Sequence, residues 1–505
     1  MNSGDIMQHN RKINEIIGRI LFFLTFSSCI FISLASCRSL PDQRKEEIRE
    51  VGEKDTVIEK SGEKEDIDVN KSTKQKMNKI EFGLKVQSYL KNGEYDASIA
   101  MFSNFEDVEE SVLEEPSTKM LKLSIMVSAG KTKDAKNYAR ELEKEYPDNL
   151  EFLYCRVMLA QHENNEREKK EFLKKILTKY PHDSWALTEE GMDLLTKKNY
   201  AGSRKKFLLA LKYSPKSVDA LLGLASVNYM QNKLKDAENN INQALKIRGD
   251  DARLWAQLAR IKSESNRMLD AVNAVKKAIE LEENVASHWT DLGLYYMQMG
   301  KRRDAHEAFS KVIALDSSSY MAFIYRAGIN DETEKYKEAL EDYYKVISLY
   351  PTYYFAFEGA GIIHIRNREW AKATWCFRNA LKHAPDHYNY AILASFCMQK
   401  DGKQKEGKDL VREYVKKMDK NKDEEEYLLT RLFYEHSGDT DVNNRVMKLK
   451  DKTKHYQMMF YLGIFYEVLN KKTIAEKYYI DVLSAKVPSF IEYKLAKIAL
   501  DRIRT

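Results

Sequence analysis

Proline and glycine are scarce, at 8 and 20 of 505 residues. Both interrupt helices, so their scarcity excludes a loop-rich chain and suits long helices joined by short turns. An excess of one charge is missing too: 83 Lys+Arg stand against 77 Asp+Glu, a net +6. No basic run is long enough to track a phosphate backbone, which excludes nucleic acid as a partner. Cysteine is rare, with 5 residues and no close-spaced pair of pairs, so neither a zinc knuckle nor a disulfide framework is expected. Cys155, Cys376 and Cys397 read as small buried thiols, with a Cys376–Cys397 bridge left open. No glycine-rich phosphate loop, nucleophile elbow or metalloprotease helix is present. His383 and His387 are parted by Pro385, which takes them off one helix face and leaves them as surface residues. The expectation is a non-enzyme without cofactor or metal.

Long hydrophobic runs are missing except at the start. Arg11, Lys12 and Arg19 precede the apolar stretch Ile20–Leu34, shorter than the ~20 residues a spanning helix needs. It ends in Leu34-Ala35-Ser36-Cys37. This tetrapeptide resembles the bacterial lipobox, and the resemblance implies that Cys37 is lipidated and becomes the mature N-terminus. Two or three lipid chains hold a protein on a bilayer where one is marginal. An ordinary signal peptide or an uncleaved anchor is the alternative, Phe26-Ser27-Ser28-Cys29 is a second candidate site, and Met7 is an alternative start. Cleavage removes three of the 83 basic and two of the 77 acidic residues, leaving 80 against 75. From Arg38 to about Asn78 both charge signs alternate without aromatics, so this stretch reads as a flexible tether.

Beyond Asn78 the chain repeats itself. Small residues recur every 34 positions at Gly191, Ala225, Ala259, Gly293, Ala327, Gly361 and Ser395. A second small column runs through Ser203, Ala237, Ala271, Ala305, Ala339, Ala373 and Gly407. A bulky column holds Phe207, Ile241, Val275, Phe309, Tyr343, Phe377 and Val411. A fourth column is mostly Ala, and Pro147, Pro181, Pro215, Pro351 and Pro385 mark the helix stops. The clearest copy is Trp289-x-x-Leu292-Gly293-x-x-Tyr296 … Ala305-x-x-x-Phe309. These columns resemble the tetratricopeptide repeat, a helix–turn–helix of 34 residues. The resemblance implies an all-α, right-handed α-α superhelical solenoid.

The expected organisation is a signal peptide (1–36), a lipidated cysteine with tether (37–78) and degenerate N-terminal repeats (79–183). A core array (184–387), degenerate helical repeats (388–455) and a last repeat with a solvating, capping helix (456–505) follow.

In the resembled family one stripe of each first helix lines a concave groove. Counted from the small residue, positions −6, −3, +1 and +4 form it. Here it holds Trp185, Met192, Leu222, Tyr229, Leu294, Met297, Met321, Phe355 and Ile362, with Arg253 and Arg260 as a basic spot. Exposed apolar groups of that extent mark a binding site for a protein or peptide. The Lys/Asn pair of the co-chaperone clamp is missing at Thr188/Met192, Leu222/Ser226, Ala256/Arg260 and Thr290/Leu294, which excludes chaperone-tail recognition. The expected function is a membrane-anchored scaffold or adaptor of the bacterial envelope. An adhesin, or an assembly or regulatory subunit for an outer-membrane or wall machine, are the alternatives. Arg38 after the lipid cysteine favours the outer membrane over the inner.

Overall fold

The computed structural model describes residues 76–485 and 490–504. The expected signal segment, Cys29, Cys37, Pro488 and the tether up to residue 75 lie outside the described residues. Among those described there are 26 α-helices, one 3-10 turn and a single isolated β-bridge, Met77 to Val108. None of the helices is long and apolar enough to cross a membrane. Two compact units divide between Lys233 and Leu234.

The first unit holds α1 (Lys79–Lys91), α2 (Tyr95–Ala100), α3 (Glu110–Leu113), α4 (Pro116–Ser128), α5 (Thr132–Glu145), α6 (Leu150–His162), α7 (Glu166–Lys179), α8 (Ser184–Thr196), α9 (Tyr200–Tyr213) and α10 (Val218–Met230). The second holds α11 (Leu234–Ile247), α12 (Ala252–Glu264), α13 (Met268–Leu281), α14 (Ala286–Gln298), α15 (Arg302–Leu315), α16 (Tyr320–Glu332), α17 (Tyr336–Leu349), α18 (Tyr354–Arg366), α19 (Trp370–His383), α20 (Tyr388–Lys400), α21 (Gln404–Val415), α22 (Glu424–Glu435), α23 (Asp439–Val446), α24 (Lys452–Val468), α25 (Lys472–Ser484) and α26 (Ile491–Arg504). Within each unit consecutive helices pack as antiparallel hairpins that stack on the next, the all-α solenoid arrangement the repeat implies.

Local chemistry sets the starts. Asn78 makes a reciprocal capping box with Glu81: its Oδ1 accepts from the Ile80 and Glu81 amides, and Glu81 Oε2 accepts from the Asn78 amide at 3.0 Å. Asn149, Asp183 and Ser217, each one repeat apart, cap α6, α8 and α10 through amides at 2.9, 2.7 and 3.3 Å. Asp251 does the same for α12 at 3.1 Å. Such a cap contributes about 1 kcal/mol.

The turn between paired helices carries a period of its own. Eleven of the thirteen described residues with positive φ, Gly130, Asn164, Lys198, Asn232, Asn266, Gly300, Glu334, Arg368, Gly402, His436 and Asn470, stand 34 apart; Gly93 and Gly438 lie outside the series. The repeat step therefore continues through 388–455, where the residue columns fade. There the first-helix small residue is replaced by buried Leu429 and the second-helix Ala by exposed Asp441. The hairpin α22–α23 keeps the turn and loses the close crossing.

The crossings explain the small residues. A Cβ on Gly191 would lie 2.6 Å from the Phe207 ring, one on Gly293 2.8 Å from Phe309, and one on Gly361 2.8 Å from Phe377. At the first of these the partner helix supplies Ser203, whose hydroxyl donates to the Gly191 carbonyl at 2.8 Å. In α20–α21 the two residues are exchanged, and the Ser395 hydroxyl donates to the Gly407 carbonyl at 2.8 Å. Cys155, Cys376 and Cys397 are buried free thiols. Burial pushes Cys155 and Cys376 up to about 12.

The end of the second unit departs from a simple stack. In α20 every residue from Tyr390 to Met398 is buried, and in α24 every residue from Met458 to Glu467. Helices buried all round lie inside a core. One continuous core runs from Phe357 in α18 to Ala499 in α26. The last helix, α26, turns Leu495, Ala496, Ile498 and Ala499 into that core and buries one charged residue, Glu492, with them, while Lys497, Asp501 and Arg504 stay exposed.

Candidate protein-binding site

The predicted stripe residues fall into three groups. In the first unit Met192 is 41% exposed, while Leu222 and Tyr229 are half-buried. Trp185 lies with its ring 4.5 Å from Tyr154 of the preceding hairpin, so much of it serves packing. In the second unit Leu294 and Met297 are half-buried, and Met321 and Phe355 are 37% and 47% exposed. Ile362 is buried at 5%, and Ile365 at 2%. The expected place of Ile362 on a free surface is therefore corrected, and Ile365, at the +4 stripe position of the same helix, is buried with it. Both belong to the core that contains Leu495 and Ile498, and α26 packs on α18, the helix that carries them.

The two arginines differ. Arg253 donates from Nε and Nη2 to Asp251 at 3.0 and 2.6 Å, a bidentate pair that ties it to its own helix cap. Burial alone would raise the Asp251 carboxyl, yet the Arg253 hydrogen bond and charge hold it below the usual carboxylate range. Arg260 is exposed and makes one contact, Nε to Asp291 at 3.2 Å. Of the predicted basic spot, Arg260 is the side chain that faces solvent.

Met321 and Phe355 occupy the same repeat position, −6, in adjacent first helices α16 and α18. Between them lies an aromatic edge that the stripe positions alone did not reveal. Tyr320 contacts Tyr350 and Tyr353 at ring distances of 5.0 and 5.9 Å, and Phe355 contacts Tyr353 and Tyr354 at 5.7 and 4.2 Å. Tyr350 is 44% exposed. The readable signal was the run Tyr350-Pro-Thr-Tyr-Tyr-Phe355, which falls at the loop between hairpins. Clustered rings hold one another in place, so a partner meets a patch already ordered.

A hydrogen-bonded chain of catalytic appearance lies elsewhere in the second unit. The Tyr344 hydroxyl meets His364 Nε2 at 2.7 Å, and His364 Nδ1 meets Glu369 Oε2 at 2.5 Å. Burial pushes the Tyr344 hydroxyl up to about 12. Among the described residues no group of three or more His, Cys, Asp or Glu is placed to hold a metal.

Profiles of the tetratricopeptide repeat match residues 194–261, 252–285 and 290–354. A curated relative, TPR repeat-containing protein PA4667 of Pseudomonas aeruginosa, is 34% identical over 104 residues, which is 20% of this chain and 18% of the relative. The chain thus spans under a fifth of that relative's length. Among solved structures, Pseudomonas aeruginosa pilF is 20% identical with a TM-score of 0.37, covering 41% of this chain and 95% of its own. YrrB, described as a TPR protein with an unusual peptide-binding site, is 19% identical with a TM-score of 0.32, covering 37% and 96%. Tetratricopeptide repeats are therefore recognised across residues 194–285 and 290–354, in step with helix hairpins whose turns recur from Gly130 to Asn470.

Proposed function

We propose that this chain is a lipid-anchored scaffold of the bacterial envelope that binds a partner protein through the first-helix stripe and carries out no chemistry itself. The observation that carries the binding role is the pair Met321 and Phe355, two large apolar side chains exposed at the same repeat position of successive first helices, with Phe355 on a cluster of tyrosine rings. Arg260 adds one exposed cation for an acidic group of the partner and acts mainly on association rate. Anchoring rests on Leu34-Ala35-Ser36-Cys37 behind an apolar run, and Arg38 favours the outer membrane.

The test begins with a partner captured from envelope extract by the mature chain and then purified. Met321→Ala with Phe355→Ala should weaken its binding more than tenfold, as loss of a hot spot worth about 2 kcal/mol does, at unchanged helix content. Full affinity in the double variant would move binding off this patch. Anchoring is tested separately: Cys37→Ser should abolish incorporation of labelled fatty acid and leave the precursor uncleaved. Label that persists on the variant would redirect the assignment to Cys29.

A further inference from the structure

Half of the stripe in α16 and α18 is already occupied, and the occupant is a helix of the same chain. Lys494 of α26 pairs with Asp331, the +4 stripe residue of α16. Glu358, Ile362 and Ile365, the −3, +1 and +4 residues of α18, lie on the helix against which α26 packs. Eight residues beyond Lys494, Arg502 donates from Nε and Nη2 to Glu467 of α24 at 3.1 and 2.7 Å. Eight residues of helix rise about 12 Å, so two carboxylates at that separation meet two cations on one helix face. Between the cations, Leu495, Ile498 and Ala499 are buried at 2%, 5% and 1%.

The fit is incomplete at two points. Asp331 Oδ1 is buried with no hydrogen-bond partner. Glu492 of α26, 2% exposed, buries a carboxylate of the helix itself, and Gln457 donates to it at 3.3 Å. Phenols hold both Glu358 and Glu492: Tyr390 donates to Glu358 at 2.5 Å and Tyr461 to Glu492 at 2.9 Å. Burial pushes the Glu358 carboxyl up to about 6, the Tyr390 hydrogen bond opposes the rise, and of the α26 charges Glu492 adds to it and Lys494 opposes it. Burial likewise raises Glu492. Burying an acid weakens a docked helix, and a partner without that acid avoids the cost.

We propose that the face formed by Asp331, Glu358, Ile362, Ile365 and Glu467 is a binding site for an amphipathic helix with two basic residues eight apart flanking aliphatic ones, that α26 is its resident occupant, and that a partner helix lacking the Glu492 acid takes the site by displacing α26. This rests on the protein-binding role above and specifies its ligand and its regulation: the site stays covered until such a helix arrives.

The experiment uses the full chain and a labelled synthetic peptide of residues 490–504 carrying Glu492→Gln. Fluorescence anisotropy should show the peptide binding the Lys494→Glu chain, whose own helix is weakened, at least tenfold more tightly than the wild-type chain. Asp331→Lys should abolish that binding, and a Lys494→Glu peptide should bind the Asp331→Lys chain in its place. In wild-type chain saturated with peptide, hydrogen exchange of α26 amides should rise while Glu358–Arg366 stay protected. That readout needs no variant, so misfolding of a mutant does not remove the test. Exchange of α26 that is unchanged at saturation, or peptide affinity indifferent to the charge at 331, would overturn the inference. Self-association of the opened chain at micromolar concentration without peptide binding would assign the face to a second copy and overturn it as well. A chain that exchanges α26 for peptide but binds nothing at Met321 and Phe355 sustains this inference alone.

Discussion

Arg502→Met should loosen the end of the second unit by about 3 kcal/mol or more, the largest effect expected of any single change here. The guanidinium is 10% exposed and the Glu467 carboxylate 3%. Burial would raise that carboxyl, and the Arg502 charge and hydrogen bonds, helped by Lys400, hold it below its ordinary value. Lys400 Nζ lies 2.9 Å from Glu467 Oε1, and the Tyr479 hydroxyl donates to Oε2 at 2.8 Å. Both remain in the variant, so the lower end of the range for a broken buried pair applies. The Arg502 side chain also lies 5.1 Å from the Phe396 ring centroid and 5.8 Å from that of Trp370, and methionine keeps part of that apolar contact. The check is native-state hydrogen exchange, which should show opening confined to α24, α25 and α26. A second variant separates charge from shape. Adding Glu467→Gln should recover part of the loss, because a buried amide costs less than an unpaired carboxylate. No recovery would mean that packing of the arginine stem, and not the ion pair, holds the helix.

The same region shows where local sequence reading stops. The columns of small residues were legible because each helix crossing demands them: Gly191, Gly293 and Gly361 stand where a Cβ would strike an aromatic ring. The positive-φ turn, equally periodic, was harder to see. Gly and Asn tolerate that conformation, but Lys198, Glu334, Arg368 and His436 occupy it too, held by the flanking helices. The fate of Ile362 was not legible at all. Its stripe position is that of an exposed groove residue, yet it lies in a core to which a helix beginning more than a hundred residues later contributes Leu495 and Ile498. The Lys494–Asp331 pair spans 163 residues, and no local period carries a trace of it. Met321 and Phe355 kept their expected exposure because the two lie at the start of their helices, whereas Asp331 and Ile365, which meet or share a core with α26, lie toward the ends.

Gly293→Leu should destabilise the hairpin α14–α15 by roughly 1–3 kcal/mol through overpacking. The added Cβ would sit 2.8 Å from the Phe309 ring and the rest of the side chain would press further in. Phe309 has no room to retreat, because its other side stacks on Tyr325 of α16 at 4.9 Å and 13° between ring planes. The helices must therefore part, and the strain passes to the next hairpin through that stacked pair. Gly328 in α16 is the matched control: a Cβ there meets nothing within 4 Å, so Gly328→Ala should gain about 0.5–1 kcal/mol from its mid-helix position. The contrast isolates crowding from helix propensity, since both glycines sit inside helices. Because α14 and α15 pack on the hairpins next to them, the loss in Gly293→Leu should appear first in α14, α15 and α16 and fade toward α20. Hydrogen exchange resolved by helix makes the measurement. Exchange that rises evenly from α11 to α26 would mean that the second unit opens as one cooperative block, with the core around α20 and α24 governing the whole.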